Sequence, residues 1–293
     1  MEQKARIDRY KYGLLLIAAL AGVGYLEFQL LPGVLTILIV TFFAIACAAE
    51  TASMLKKSGV DPFEKASISL VVLFVAAYAF PKLQLGFGST DSLGTLSRFR
   101  TAELAAGAFV FFCAAAVLRQ KTEGAAQTLA GGLLVITVAA CLLAMVDIRF
   151  LNGDPSPAGM QLLLFLVAVS KAGDIAGYLI GSTAGKNKLI PAVSPGKTWE
   201  GAIASLIAAV GVAGVFGVLG FCGPLSIEQC IFGGVTINIA SQFGDLAESL
   251  FKRSAGVKDS GNWLPQFGGA FDLVDSLFLA APAFYGFLRV AVY

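Results

Sequence analysis

The sequence predicts an all-α integral membrane protein: a polytopic bundle of about nine transmembrane helices with a polar site on the cytoplasmic side. Three observations carry this. Of 293 residues, 57% are hydrophobic and 14% are charged, with a mean hydropathy of +0.80, a balance too apolar for a water-soluble globule of this size. Apolar runs of roughly 15–25 residues, most of them matched to a bilayer core of about 30 Å, recur along the whole chain. Basic residues are shared unevenly between the connections of those runs.

Lys4, Arg6, Arg9 and Lys11 precede the first run, which continues to Leu30 and reads as an uncleaved first span. The expected spans lie at about 13–31, 33–53, 67–81, 103–118, 125–146, 158–182, 201–220, 230–250 and 270–291. Leu31-Pro32-Gly33 marks a tight hairpin between the first two. The third span is short for a bilayer. The Gly/Ser-rich stretch 82–102 reads as an external loop.

With the N-terminus in the cytoplasm and the spans alternating, the cytoplasmic segments hold the four N-terminal cations, Lys56, Lys57, Lys65, Arg119, Lys121, Lys186, Lys188, Lys197, Lys252, Arg253 and Lys258, which is 15 of 21 basic residues. The opposite side holds Lys82, Arg98, Arg100, Arg149 and Arg289, and Lys171 falls inside a span. This asymmetry sets the orientation and brings the loops 183–200 and 251–269 to the same face. Few ionisable groups interrupt the early spans, and Glu27 and Glu50 lie near span ends. Residues 1–125 are therefore expected to form a transmembrane scaffold and residues 126–293 the catalytic region.

Histidine is absent, which excludes imidazole bases, Ser-His triads and imidazole metal ligands. Five cysteines sit in or beside apolar runs without CxxC spacing and read as small hydrophobes. A net charge of +2 gives no reason to expect nucleic acid.

The chemistry gathers in the stretch from Ser241 to Ser276, which holds Asp245, Glu248, Lys252, Arg253, Lys258, Asp259, Asp272 and Asp275. Ionisable groups near membrane depth are costly and are kept opposite a partner or water. Asp245, Glu248, Ser249 and Lys252 follow i, i+3, i+4, i+7 spacing, one face of a helix, and Asp272, Asp275 and Ser276 repeat it on the next segment. A loop with Gly256, Gly261, Pro265, Gly268 and Gly269 lies between. Facing carboxylates with cations nearby suit a hard metal and phosphate groups; salt-bridged helix ends would use the same residues.

The sixth span carries Lys171 and Asp174 at i, i+3, with Gly173, Gly177, Gly181 and Gly185 in a stripe that lets another helix approach closely. Asp174 is expected to face the same cavity as Asp245. Ser194-Pro195-Gly196-Lys197-Thr198-Trp199-Glu200-Gly201 follows. Pro191 stands where a Walker A motif needs glycine, so this is no P-loop. It remains a loop of Ser, Lys and Thr donors at a helix start, suited to capping and to anions.

In three segments the sequence resembles the phosphatidate cytidylyltransferases, or CDP-diacylglycerol synthases. Asp174-Ile175-Ala176-Gly177-Tyr178 with Gly181 and Gly185-Lys186 is similar to the family's span before its nucleotide loop. Ser194 to Gly201 is similar to its S-P-x-K-T-W-E-G motif. Gln242-Phe243-Gly244-Asp245, Lys252-Arg253, Lys258-Asp259-Ser260-Gly261 and Gly268-Gly269 to Asp275 follow its C-terminal signature. Phe267 and Leu273 stand where that signature commonly has His and Arg, which bears on any role of those two groups.

The resemblance implies transfer of a cytidylyl group from CTP to phosphatidate, giving CDP-diacylglycerol and pyrophosphate. It implies Lys197, Lys252, Arg253, Lys258 and Asp259 as catalytic residues, and Ser194, Pro195, Thr198, Asp174 and Ser249 as substrate contacts. Asp245, Asp272 and Asp275 would hold Mg²⁺, with a second, monovalent cation left open. The partners implied are CTP, phosphatidate and bilayer lipid, with a homodimer as one open assembly. The place implied is a bacterial inner membrane with the site facing the cytoplasm. A relative that only binds lipid or nucleotide, a CTP-dependent polyprenol kinase and a transporter remain alternatives.

Overall fold

A computed structural model describes residues 27, 32–86, 125–151, 153, 155–262 and 268–292. Seven long helices are present among them: α1 Val34–Lys57, α2 Glu64–Gly86, α3 Ala125–Arg149, α4 Pro157–Thr183, α5 Trp199–Leu219, α6 Ile227–Ser254 and α7 Ala270–Ala291. Five contain a stretch long and apolar enough to cross a membrane: α1, Leu129–Arg149 of α3, α4, α5 and α7. The expected spans at 103–118 and, apart from Glu27, at 13–31 lie outside the described residues, as does the loop 87–102.

Two expectations change. The helix that holds the third apolar run extends beyond it: α2 runs 23 residues from Glu64 to Gly86, about 35 Å. Glu64, Lys65 and Lys82 bound the apolar run, and the helix continues through them although Pro81 removes one backbone donor. The loop 183–200 is not wholly irregular either. It contains an antiparallel ribbon of β1 Lys188–Ile190 and β2 Ser194–Thr198, with Lys188 opposite Thr198 and Ile190 opposite Ser194. Val193 N donates to Ile190 O at 3.1 Å to close the turn.

Local chemistry sets the helix starts. Ser156 caps α4 by accepting from Gly159 N at 3.2 Å, with proline in the first turn. Thr198 caps α5 in the same way on Gly201 N at 3.2 Å. Ser226 and Gln229 form a capping box on α6.

The core is apolar and continuous through both halves. Val40, Cys47, Val71, Leu142, Phe165, Leu166, Phe271 and Phe284 belong to it. Phe165 meets Phe284 at 5.5 Å between ring centroids, and Phe271 meets Phe278 at 5.3 Å. The cysteines described, Cys47, Cys141, Cys222 and Cys230, are free thiols.

The glycine stripe on α4 does what its spacing predicts. A Cβ built on Gly177 would lie 3.3 Å from Gly201 O, and one on Gly181 would lie 3.2 Å from Thr198 Oγ1. The backbones of α4 and α5 thus approach closely and carry Thr198 and Gly201 against α4. On α5, Gly217 packs against Ile227 and Cys230, whereas Gly211 and Gly214 face open space and Gly220 ends the helix at φ 70°.

Candidate active site

A cavity of about 430 Å³ opens between α4, the ribbon, α5 and α6. Asp174, Tyr178, Ser194, Lys197, Thr198 and Asp245 line it, with Gly173, Gly177, Ser205 and Gln242 among the rest. The ribbon turns Lys197 inward, where its Nζ donates to Asp245 Oδ2 at 3.0 Å. Residues 48 positions apart therefore meet at one wall.

Behind this pair lies a second knot of charge. Lys171 Nζ donates to Asp174 Oδ2 at 3.1 Å, to Ser276 Oγ at 2.9 Å and to Leu273 O at 3.4 Å. Ser276 Oγ donates to Asp174 Oδ2 at 3.0 Å, and Ser276 N to Asp275 Oδ1 at 2.7 Å. Asp245, Asp174 and Asp275 are close enough to repel one another, with Lys171 and Lys197 as the opposing cations. Three acids thus share two lysines. Asp245 Oδ1 is buried and has no hydrogen-bond partner among the described residues. A buried, unpaired carboxylate oxygen is expensive, and a cation at Asp245 would relieve it.

Among the described residues no group of three or more Cys, Asp or Glu side chains forms a ready-made metal cage. A cation would complete its shell with substrate oxygens and water, as Mg²⁺ commonly does. The donor set therefore fits a hard divalent ion held by Asp245, with Asp275 beside it.

The expected set divides here, because Asp272 belongs to another cluster. Its Oδ1 accepts from Lys252 Nζ at 2.7 Å. Its Oδ2 accepts from Ser260 N, Ser260 Oγ and Gly269 N, each at 2.8 Å. A metal on Asp272 would have to displace these donors, so this arrangement assigns Asp272 to capping α7 and pairing Lys252. Lys252 also pairs with Glu248 Oε2 at 2.6 Å, and Glu248 Oε1 is buried without a hydrogen-bond partner among the described residues.

Glu50 of α1 completes that cluster, and its spacing gave no sign of it. Its carboxylate, buried at 6% exposure, accepts from Ala270 N at 2.8 Å and Phe271 N at 2.9 Å, and shares the single hydroxyl hydrogen of Ser260 Oγ, 2.7 Å away, with Asp272 Oδ2. It thus ties the first half of the chain to the start of α7 across more than 200 residues. A Cβ on Gly261 or on Gly269 would come within 2.5 Å of Glu50 oxygens, so glycine at these positions permits the approach.

The remaining candidates are more dispersed. Arg253, Lys258 and Asp259 are exposed and make no ion pair among the described residues; Arg253 Nη1 reaches Val257 O at 3.4 Å. Pro195 is exposed on β2 and stands outside the cavity lining. Ser249 is half-buried on α6, also outside the lining. Two of the first N–H groups of α5 are taken: Trp199 N donates to Asn187 O at 2.9 Å and Gly201 N to Thr198. The anion site expected at this helix start therefore reduces to Lys197 and the hydroxyls near it. Leu273 offers its backbone carbonyl to Lys171, and Phe267 lies outside the described residues.

The sequence model of the cytidylyltransferase family matches residues 13–291. The chain belongs to this family. It is 42% identical over 131 residues to a phosphatidate cytidylyltransferase of Haemophilus influenzae, covering 43% of this chain and 45% of that one. It is 39% identical over 192 residues to one of Brucella suis, covering 64% of this chain and 66% of that one. It is also 42% identical over 135 residues to an Escherichia coli protein named uncharacterized protein YnbB, covering 46% of this chain and 45% of that one. The chain thus spans about half to two thirds of the length of these family relatives.

Proposed function

We propose that this family member transfers a cytidylyl group from CTP to phosphatidate. A phosphate oxygen of phosphatidate attacks the α-phosphorus of CTP, the bond to the β-phosphate oxygen breaks, and pyrophosphate leaves. The observation that carries this is the cavity wall at Lys197 and Asp245, where a cation and a half-buried carboxylate line the same space and one carboxylate oxygen is buried with no hydrogen-bond partner among the described residues.

The nucleophile is already an anion near neutral pH, so the lack of histidine costs nothing. The difficulty lies in bringing negative groups together, and the chain meets it with cations. Lys197 neutralises phosphate charge at the mouth, and Ser194 and the ribbon backbone bound the space beside it. Lys171 holds Asp174 and Ser276 in place and offsets the acids behind the cavity. Arg253 and Lys258, exposed at the end of α6 and just beyond it, are available to incoming phosphate.

Mg²⁺ is the proposed cofactor, held by Asp245 and Asp275 with Asp174 in support; when bound it would screen the triphosphate and the departing pyrophosphate. Lys252 acts with Asp272 and Glu50 to fix α7, and so fixes where Asp275 sits. The site is proposed to face the cytoplasm, where CTP is made, while phosphatidate arrives from the bilayer.

Purified protein in lipid nanodiscs, given CTP, Mg²⁺ and phosphatidate, should release pyrophosphate and form CDP-diacylglycerol. Binding of CTP with no pyrophosphate release would refute the transferase and leave a binding protein.

A further inference from the structure

One turn from Asp245 on α6, about 5 Å along the axis, Gln242 also lines the cavity. Its Nε2 donates to the Ala202 backbone carbonyl at 3.2 Å and to Asn238 Oδ1 at 2.7 Å. A backbone carbonyl can only accept, so Ala202 decides which end of the amide turns toward α5. Asn238, 1% exposed, is fixed in turn, because its Oδ1 accepts from Gln242 and its Nδ2 donates to Ser205 Oγ at 2.7 Å. Both donor hydrogens of Gln242 are engaged. Its Oε1 makes no hydrogen bond among the described residues, and Gln242 is only half-buried. The amide therefore presents a preset acceptor at the cavity wall.

A preset acceptor selects a donor. Phosphatidate offers only acceptors through its ester region. CTP offers the 4-amino group of cytosine and the ribose hydroxyls, and UTP has a carbonyl oxygen where CTP has the amine. The cavity lining also holds Gly173, Gly177, Gly201 and Ala202, which carry little or no side chain. Lys197, one turn away at Asp245, suits the phosphates.

We infer that Gln242 Oε1, held by Ala202 and Asn238, accepts a hydrogen bond from the exocyclic amine of cytosine and makes the site selective for CTP over UTP. This rests on the cytidylyl-transfer proposal above. The test measures kcat/KM for pyrophosphate release by the full-length protein in nanodiscs. The nucleotides are CTP, UTP, 2′-deoxy-CTP and the triphosphate of 2-pyrimidinone riboside, which lacks only the 4-amino group.

The wild-type protein should favour CTP over the 2-pyrimidinone analogue by roughly fivefold to 150-fold, the worth of leaving a sequestered acceptor unpaired. Its preference over UTP should be larger. Gln242→Leu should bring the ratio of CTP to analogue close to one. Equal kcat/KM for CTP and analogue in the wild-type protein overturns the assignment without any substitution, so the test survives a variant that fails to fold. A Gln242→Leu protein that loses activity toward both nucleotides with the ratio kept also overturns it, as packing alone would do. So does a penalty seen with 2′-deoxy-CTP and absent with the analogue, which points to the ribose. A wild-type protein that releases pyrophosphate from no nucleotide refutes the transferase itself, a result distinct from release without discrimination.

Discussion

Glu50→Ala removes an acceptor that serves two elements far apart in sequence. Two backbone donors lose their partner, Ala270 N and Phe271 N, while Ser260 Oγ keeps Asp272 Oδ2 at 2.8 Å. Hydrogen bonds to a charged group are worth about 1.5–3 kcal/mol each, or about 3–6 for two. Burying the carboxylate costs several kcal/mol, and the substitution returns part of that cost. The remainder is about 1–3 kcal/mol, concentrated at the start of α7. At about 1.4 kcal/mol per decade, local opening there should become roughly 5 to 140 times more frequent. Hydrogen exchange in nanodiscs reads this directly at the amides of Ala270 and Phe271, while amides in the middle of α5 serve as the unaffected control. Glu50→Gln keeps one carbonyl acceptor and should lose about half as much. If the protection of Ala270 and Phe271 is the same in Glu50→Ala as in the wild-type protein, Glu50 does not hold α7, and its link to the site falls.

Asp245→Asn should abolish pyrophosphate release while the protein still inserts and elutes as a single species in detergent; turnover near the wild-type rate would exclude Asp245 as a cation ligand. Lys197→Ala should raise KM for CTP at least about tenfold, as expected for loss of a charged contact to phosphate, and an unchanged KM would move the triphosphate elsewhere in the cavity. Thr198→Ala removes the cap on Gly201 N and should cost about 1 kcal/mol of thermal stability, seen as a lower Tm, whereas an equal Tm would mean that another group caps α5.

The helical membrane architecture was legible because hydropathy reports it one segment at a time. That Asp174 and Asp245 line one cavity was legible for a different reason: charges stand out in an apolar chain. Asp272 and Asp275 share a helix face, and spacing alone could not show that they serve different clusters. That division depends on Ser260 and Gly269 donating to Asp272 through the fold of the connecting loop. Glu50 was harder still. It is a lone acid in an apolar run, and two of its three donors are backbone N–H groups, which carry no side-chain signature. Gln242 was visible within a motif, but its role lies in the direction of its amide, which Ala202 of another helix decides. The ribbon at 188–198 was missed because its strands are only three and five residues long and contain Pro195 and Gly196, both poor strand formers.

Glu50 gives the two halves of this molecule a common keystone. α1 carries the carboxylate, while α7 and the loop before it carry the donors, so neither half presents a finished surface alone. A fragment starting after residue 125 would expose the unmet N–H groups of Ala270 and Phe271 to lipid or water, and the helix bearing Asp275 would start from a frayed end. Exchanging N-terminal portions between relatives should therefore succeed only where the incoming portion brings an acid to the depth of Glu50.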